Sequence, residues 1–155
     1  MPSDATTDAK DSTAFLPTMR ELARTYQAFA NYSDTHIREL GLTSPQFDVI
    51  ATLGNTDGMS MKKLAEATLV TKGTLTGIVD RLEKKGFVRR VVPPENRRSF
   101  TIVLTPEGET LFQSTFPQHI AYLQPRFEQL TPTELKKLQQ LLKKLRSSFE
   151  GASPS

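Results

Sequence analysis

The chain contains no cysteine. Disulfides, thiolate chemistry and cysteine metal sites are therefore excluded. Histidine is scarce: His36 and His119 are far apart in sequence. Isolated histidines of this kind are ordinary core or interface residues, and no metal is expected. Long apolar runs are missing too. None exceeds four residues, far short of the roughly 20 that a membrane-spanning helix needs. The start, Met1-Pro2-Ser3-Asp4-Ala5-Thr6-Thr7-Asp8, lacks the basic-then-apolar order of a signal peptide. A cytoplasmic location without membrane contact is the expectation. The sequence also has no glycine-rich phosphate loop, no nucleophile elbow and no metal-ligand pair at helical spacing. Neither an enzyme nor a cofactor is expected.

What is present is a chain of 155 residues with 37% hydrophobic content. That length suits one domain with a real core. The modest apolar share suits a helix-rich protein that buries part of its surface in a partner. Net charge is only +3, but it is unevenly spread. Residues 59–104 hold ten basic side chains (Lys62, Lys63, Lys72, Arg81, Lys84, Lys85, Arg89, Arg90, Arg97 and Arg98) against Glu66, Asp80, Glu83 and Glu95. The remainder is net acidic. A basic middle in an otherwise acidic chain is the electrostatic footprint of a polyanion partner, or else a solvated surface.

Hydrophobic periodicity orders the chain. Residues 1–13 and 151–155 are polar and aperiodic and read as disordered tails. Between them, 14–150 form one domain. Leu16, Met19, Ala23, Tyr26, Ala30, Ile37 and Leu40 recur near 3.5 residues, a long amphipathic helix over 14–40 that Gly41 closes. Thr43-Ser44-Pro45-Gln46 opens a second helix with a capping box and an early proline. Its inner stripe is Phe47, Ile50 and Leu53. Ser60 caps a short third helix carrying Met61, Leu64 and Ala65. Thr71 caps a fourth carrying Leu75, Ile78, Val79 and Leu82, which ends at Gly86 in a Schellman arrangement. Two β-rich runs, 87–92 and 99–104, flank Pro93-Pro94-Glu95-Asn96-Arg97-Arg98 and predict a hairpin with a loop.

Thr105-Pro106-Glu107 begins a fifth helix with Phe112, Phe116, Ile120, Leu123, Phe127 and Leu130 on one stripe. Pro117 and Pro125 predict a kink or break there. Thr131-Pro132-Thr133-Glu134 caps a last helix. Its Leu135, Leu138, Leu142, Leu145 and Phe149 form a heptad seam.

The fold class is therefore mostly α with a small β-hairpin wing: a winged helix-turn-helix over 43–105 plus a helical dimerisation region from 14–42 and 106–150. A helix fits the major groove of double-stranded DNA, and its N-terminal residues meet base edges. In Thr71-Lys72-Gly73-Thr74-Leu75-Thr76-Gly77, Leu75 points inward and the small polar residues point outward. Thr71, Thr74 and Thr76 offer hydroxyls and methyls, and Lys72 offers charge. Gly73 and Gly77 each cost a solvent helix about 1 kcal/mol against alanine. They make sense where a backbone must come close to another surface. Ser60, Lys62 and Arg81 complete the expected DNA face. At the hairpin tip, Asn96, Arg97 and Arg98 follow a rigid Pro-Pro corner and suit a narrow minor groove or the backbone.

The run Thr71-Lys72-Gly73-Thr74-Leu75-Thr76-Gly77-Ile78-Val79-Asp80-Arg81-Leu82-Glu83-Lys84-Lys85-Gly86-Phe87-Val88 resembles the recognition helix of MarR-type regulators, the multiple-antibiotic-resistance family. Asn96-Arg97-Arg98 and Leu104-Thr105-Pro106-Glu107-Gly108 extend the likeness, which covers roughly 14–149. The resemblance implies a ligand-responsive repressor. It implies a homodimer whose first and last helices interleave with a second copy, and recognition helices on successive major grooves of a pseudo-palindrome. It implies an effector pocket between dimer region and DNA lobe, where Tyr32, His36 and Phe47 are able to hold a small aromatic or phenolic compound. Leu16, Met19, Tyr26, Leu135, Leu138, Leu142 and Leu145 would form the dimer contact. The likeness departs at Asn96, where the family usually carries aspartate, and at Gly77, where many members carry a larger polar residue. Without cysteine, the family's peroxide-sensing mechanism is excluded.

The rival reading is a winged-helix interaction module that does not bind DNA, served by the leucine seam. Such a module has no reason to place Lys72, Arg97 and Arg98 at groove-facing positions. The Lys136-Lys137 and Lys143-Lys144 pairs lie opposite the leucines and read as a solvated face.

Overall fold

The computed structural model describes residues 12–92 and 99–151. The element order is α1 (Leu16–Glu39), α2 (Ser44–Leu53), β1 (Met59–Ser60), α3 (Met61–Ala67), α4 (Lys72–Lys84), β2 (Val88–Val91), β3 (Thr101–Leu104), α5 (Pro106–Phe127) and α6 (Pro132–Glu150). The chain divides into two compact units, Met1–Phe112 and Gln113–Ser155.

In the first unit, α2 is the hub and touches α1, α3, α4 and β3. Val49, Ile50 and Leu53 of α2 are buried with Leu64 of α3 and with Leu75, Ile78, Val79 and Leu82 of α4. Local chemistry sets each end. Thr43 accepts the Gln46 N–H at 3.3 Å, and Gln46 Oε1 accepts the Thr43 N–H at 3.1 Å, a complete capping box. Gly41 and Gly86 take φ of +83° and +82°, a region open to glycine. At each, the glycine N–H and the next residue's N–H return to the helix, to Arg38 and Ile37 in one case and to Glu83 and Leu82 in the other. Both ends are Schellman closures.

The sheet has the order β1-β3-β2, all antiparallel, with Val88 opposite Leu104, Arg90 opposite Ile102, and Met59 also opposite Ile102. Val88 and Ile102 are buried on its inner face. The sequence reading has no β1, because a two-residue strand carries no period. Residues 93–98, the expected wing loop with Asn96, Arg97 and Arg98, lie outside the described residues, as do most of both expected tails.

Two glycines join the start of α5 to this unit through lack of room. A Cβ on Gly54 would collide with the Phe112 ring, and one on Gly108 with the Phe87 carbonyl oxygen. Thr105 adds a donated bond to the Gly86 carbonyl at 2.6 Å and accepts the Gly108 N–H at 3.0 Å.

Of the two outcomes expected at the prolines of the fifth helix, a kink or a break, the break does not occur. α5 runs unbroken through Pro117 and Pro125. Each proline removes one backbone donor, but its fixed φ is itself helical. The buried positions are offset as well. Gly108, Phe112, Thr115 and His119 are buried, while Ile120 and Phe127 of the expected stripe are exposed. His119 stacks near Tyr122, with ring centroids 6.2 Å apart.

In the second unit, α6 buries no residue. Its start is fixed by Thr131, which accepts the Glu134 N–H at 3.2 Å, while Glu134 accepts the Thr131 N–H at 3.0 Å. The backbone bond and then the hydroxyl contact hold the Glu134 carboxylate below its ordinary 4.5. A depressed carboxylate stabilises the fold above its unfolded value, and that contribution disappears as pH falls through the lowered value. The Thr131 amide proton is expected to titrate below pH 4.5 by NMR, and Glu134→Gln to abolish that titration.

Among the described residues, no helix is long and apolar enough to cross a membrane. Apolar side chains stay exposed instead. On α1 these are Leu16, Met19, Leu22, Tyr26 and Phe29, and only Ser33 and Ile37 are buried. On α6 they are Leu138, Leu141, Leu142, Leu145 and Phe149, the last 69% exposed.

Candidate nucleic-acid interface

Helix α4 has two sides. Its Leu75, Ile78, Val79 and Leu82 are buried, and Thr71, Lys72, Gly73, Thr74, Thr76, Gly77, Asp80, Arg81 and Lys84 are exposed. All sequence-expected contact residues of this helix thus share solvent with one another. Gly73 and Gly77 have nothing within 4 Å of an added Cβ. Nothing inside the protein demands glycine at either place.

Thr71 differs from expectation. It stands at the N-cap position, but its side chain accepts no backbone N–H. The Thr71 carbonyl takes the Thr74 N–H at 3.1 Å, an i→i+3 closure that tightens the first turn. The hydroxyl then donates to the Thr74 hydroxyl at 2.9 Å. Two residues counted as separate contacts therefore form one hydroxyl pair at the helix entrance.

The other half of the motif is held from behind. Ser60 caps α3 by accepting the Lys63 N–H at 3.1 Å. Ser60 and Lys62 are exposed. Asp48 of α2 reaches 21 positions along the chain to accept the Leu69 N–H at 2.7 Å, fixing the turn before α4. Leu69 itself is 89% exposed. No periodicity pointed to Asp48, because one carboxylate on a half-buried helix position carries no signal of its partner.

Sequence reasoning also missed the grouping around Arg90. Its Nη2 donates to Asp80 at 2.5 Å, its Nη1 to Glu83 at 2.6 Å, and its backbone N–H to the second Glu83 oxygen at 3.3 Å. The guanidinium carbon sits 5.5 Å from the Phe100 ring centroid, within cation–π range. The bond to Asp80 foremost, then the charges of Glu83 and Asp80, raise the guanidinium's pKa above its ordinary value, with desolvation opposing. The available signal was an acidic pair three apart in a basic helix, followed by an arginine on the next strand.

Of the residues expected to hold an effector, Phe47 is buried and Tyr32 and His36 are half-buried. A cavity of about 210 Å³ lies where α1 meets α2, lined by Asp34, Arg38, Thr43, Ser44 and Pro45. Ser44 donates to Asp34 at its edge. Tyr32, His36 and Phe47 are not among these lining residues.

A family model described as MarR family matches residues 42–100. The chain is 31% identical over 114 residues to the HTH-type transcriptional regulator YsmB of Bacillus subtilis (strain 168), spanning 74% of this chain and 78% of YsmB. The MarR family regulator Sco3205 of Streptomyces coelicolor, solved in complex with DNA, is 28% identical with a TM-score of 0.77, over 90% of this chain and 89% of that one. BpsR of Bordetella bronchiseptica, whose structure addresses regulation of DNA binding by 6-hydroxynicotinic acid, is 28% identical with a TM-score of 0.74, over 82% and 91%.

Proposed function

The chain belongs to the MarR family of DNA-binding transcription regulators, and we propose that it represses transcription as a two-fold homodimer on a pseudo-palindromic operator, in the cytoplasm. Membership sets aside both an enzyme and an interaction module without DNA. Residues 14–150 act as one functional domain, with 43–105 as the reading part and 14–42 and 106–150 as the dimerising part. The observation that carries the reading is the two-sidedness of α4, with hydroxyls, glycines and cations exposed on a helix whose other side is wholly buried. In the proposal α4 enters the major groove, Ser60 and Lys62 meet the backbone, and Asn96, Arg97 and Arg98 touch the backbone or minor groove. Selection of bound duplexes from a random pool tests this. It returns symmetric half-sites about one helical turn apart, and a pool with no enrichment overturns the reading.

Base and backbone contacts have separable signatures. Thr74→Ala or Thr76→Ala is expected to lower affinity by about 1–3 kcal/mol per half-site, on the preferred sequence only. Arg98→Ala is expected to weaken all sequences alike. It also flattens the salt dependence by about one unit of slope per lost phosphate contact, twice over in a dimer. Titrations at several salt concentrations distinguish the two.

An effector reading is favoured by one relative, BpsR, with its 6-hydroxynicotinic acid. In this chain the proposal places a small aromatic acid or phenol beside Tyr32, His36 and Phe47. Millimolar 6-hydroxynicotinic acid or salicylate is expected to raise the melting temperature and weaken operator binding. No change in either excludes a site for such anions.

A further inference from the structure

We propose that Arg90 acts on DNA binding through Asp80 and Glu83, covering two carboxylates that the recognition helix would otherwise turn toward the phosphates. The inference rests on the DNA-binding reading of α4. Asp80 lies one turn beyond Thr76 and Gly77, on the same exposed stripe. An acidic side chain there faces the wrong way for a polyanion, since like charges brought together oppose association. The Arg90 guanidinium answers this by reaching both carboxylates at once, 2.5 Å from Asp80 and 2.6 Å from Glu83. Its side chain is 25% exposed, against 50% for Asp80 and 39% for Glu83, so the cation is the most shielded of the three groups. The Phe100 ring at 5.5 Å supplies a second wall.

The planar fork matters. Its separate nitrogens serve separate carboxylates, whereas a lysine is a point charge. Because Arg90 sits on β2 and its partners on α4, the same contact joins the wing strand to the reading helix. Arg90 is therefore a positioning residue, and it is not one of the cations that meet phosphate.

The test compares four proteins on a duplex that the wild type binds: wild type, Arg90→Gln, Asp80→Asn with Glu83→Gln, and the triple variant. Arg90→Gln is expected to lose at least about tenfold in affinity. The triple variant, with no carboxylates to cover, returns to within about threefold of wild type, inside ordinary non-additivity. A fold defect or a lost phosphate contact is not repaired by neutralising two acids, so an unrescued loss overturns the inference, as does an Arg90→Gln protein that binds normally. Asp80→Asn with Glu83→Gln keeps acceptors for the guanidinium and is expected to bind at least as tightly as wild type. A loss in that variant overturns the inference even if Arg90→Gln fails to fold. If the wild type binds no duplex at all, the DNA reading itself fails, separately from these comparisons.

Discussion

Replacing Gly73 and Gly77 together by alanine makes the protein more stable and a poorer DNA binder. The stability gain is about 1 kcal/mol, most of it from Gly77, because a glycine in a helix interior is roughly 1 kcal/mol worse than alanine while Gly73 lies in the first turn. Nothing opposes it, since both added methyls enter open space. The same methyls stand on the exposed side of α4, between Lys72, Thr76 and Asp80. A duplex seated there must move outward, lengthening the contacts of Thr74 and Thr76. A loss of about 1–3 kcal/mol per half-site follows, the scale of one base contact. Denaturant unfolding and DNA titration of one preparation measure both quantities. Opposite signs are the result that matters. If affinity is unchanged while stability rises, the glycines merely loosen a solvent helix, and close backbone approach is wrong.

The second large effect concerns assembly. Leu138→Glu combined with Leu142→Glu is expected to leave a folded monomer of about 17.3 kDa where the wild type sediments as twice that mass. The substitutions touch no buried position of the protomer's own fold, because α6 buries none. Five large apolar side chains on that helix and five more on α1 are nonetheless exposed, an amount of apolar surface that a lone soluble chain does not keep. In the proposed dimer that surface is covered, and glutamates placed at its centre would have no partner there. Operator affinity falls with dissociation by about a hundredfold or more, because the second half-site is no longer bound intramolecularly. Wild type sedimenting at 17.3 kDa would end the dimer proposal.

The parts of the fold legible in the sequence are those whose cause is local. Gly41 and Gly86 announced their left-handed turns because few other residues accept them. Thr43 with Gln46 and Thr131 with Glu134 announced helix starts because both partners of each box lie three residues apart. The two-sidedness of α4 was equally plain, since burial and helical period coincide along the whole helix. What escaped depends on contacts distant in sequence. β1 exists only because Met59 and Ser60 find Ile102 and Thr101. The tether from Asp48 to Leu69 and the seat of Arg90 between two acids are tertiary facts. The inner side of α5 was legible only in part, because Thr115 and His119 are buried with Phe112 while Ile120 and Phe127 of the apolar stripe are exposed. Whether Pro117 and Pro125 break their helix was not legible either, since a local penalty is outweighed when the turns on either side are long and intact.

Gly54 and Gly108 constrain how this sequence can drift. Both are small for want of space, one under the Phe112 ring and the other against the Phe87 carbonyl. In a saturation library sorted only for abundance in the cell, these two positions return glycine, whereas Gly73 and Gly77 return alanine and many larger residues. Phe112 is the exception that opens a route. Trimmed to alanine, it vacates the space above Gly54 and lets a methyl in, so substitutions at 54 and 112 become permissible only in company. Gly108 has no such companion, because its neighbour is backbone, and backbone does not mutate.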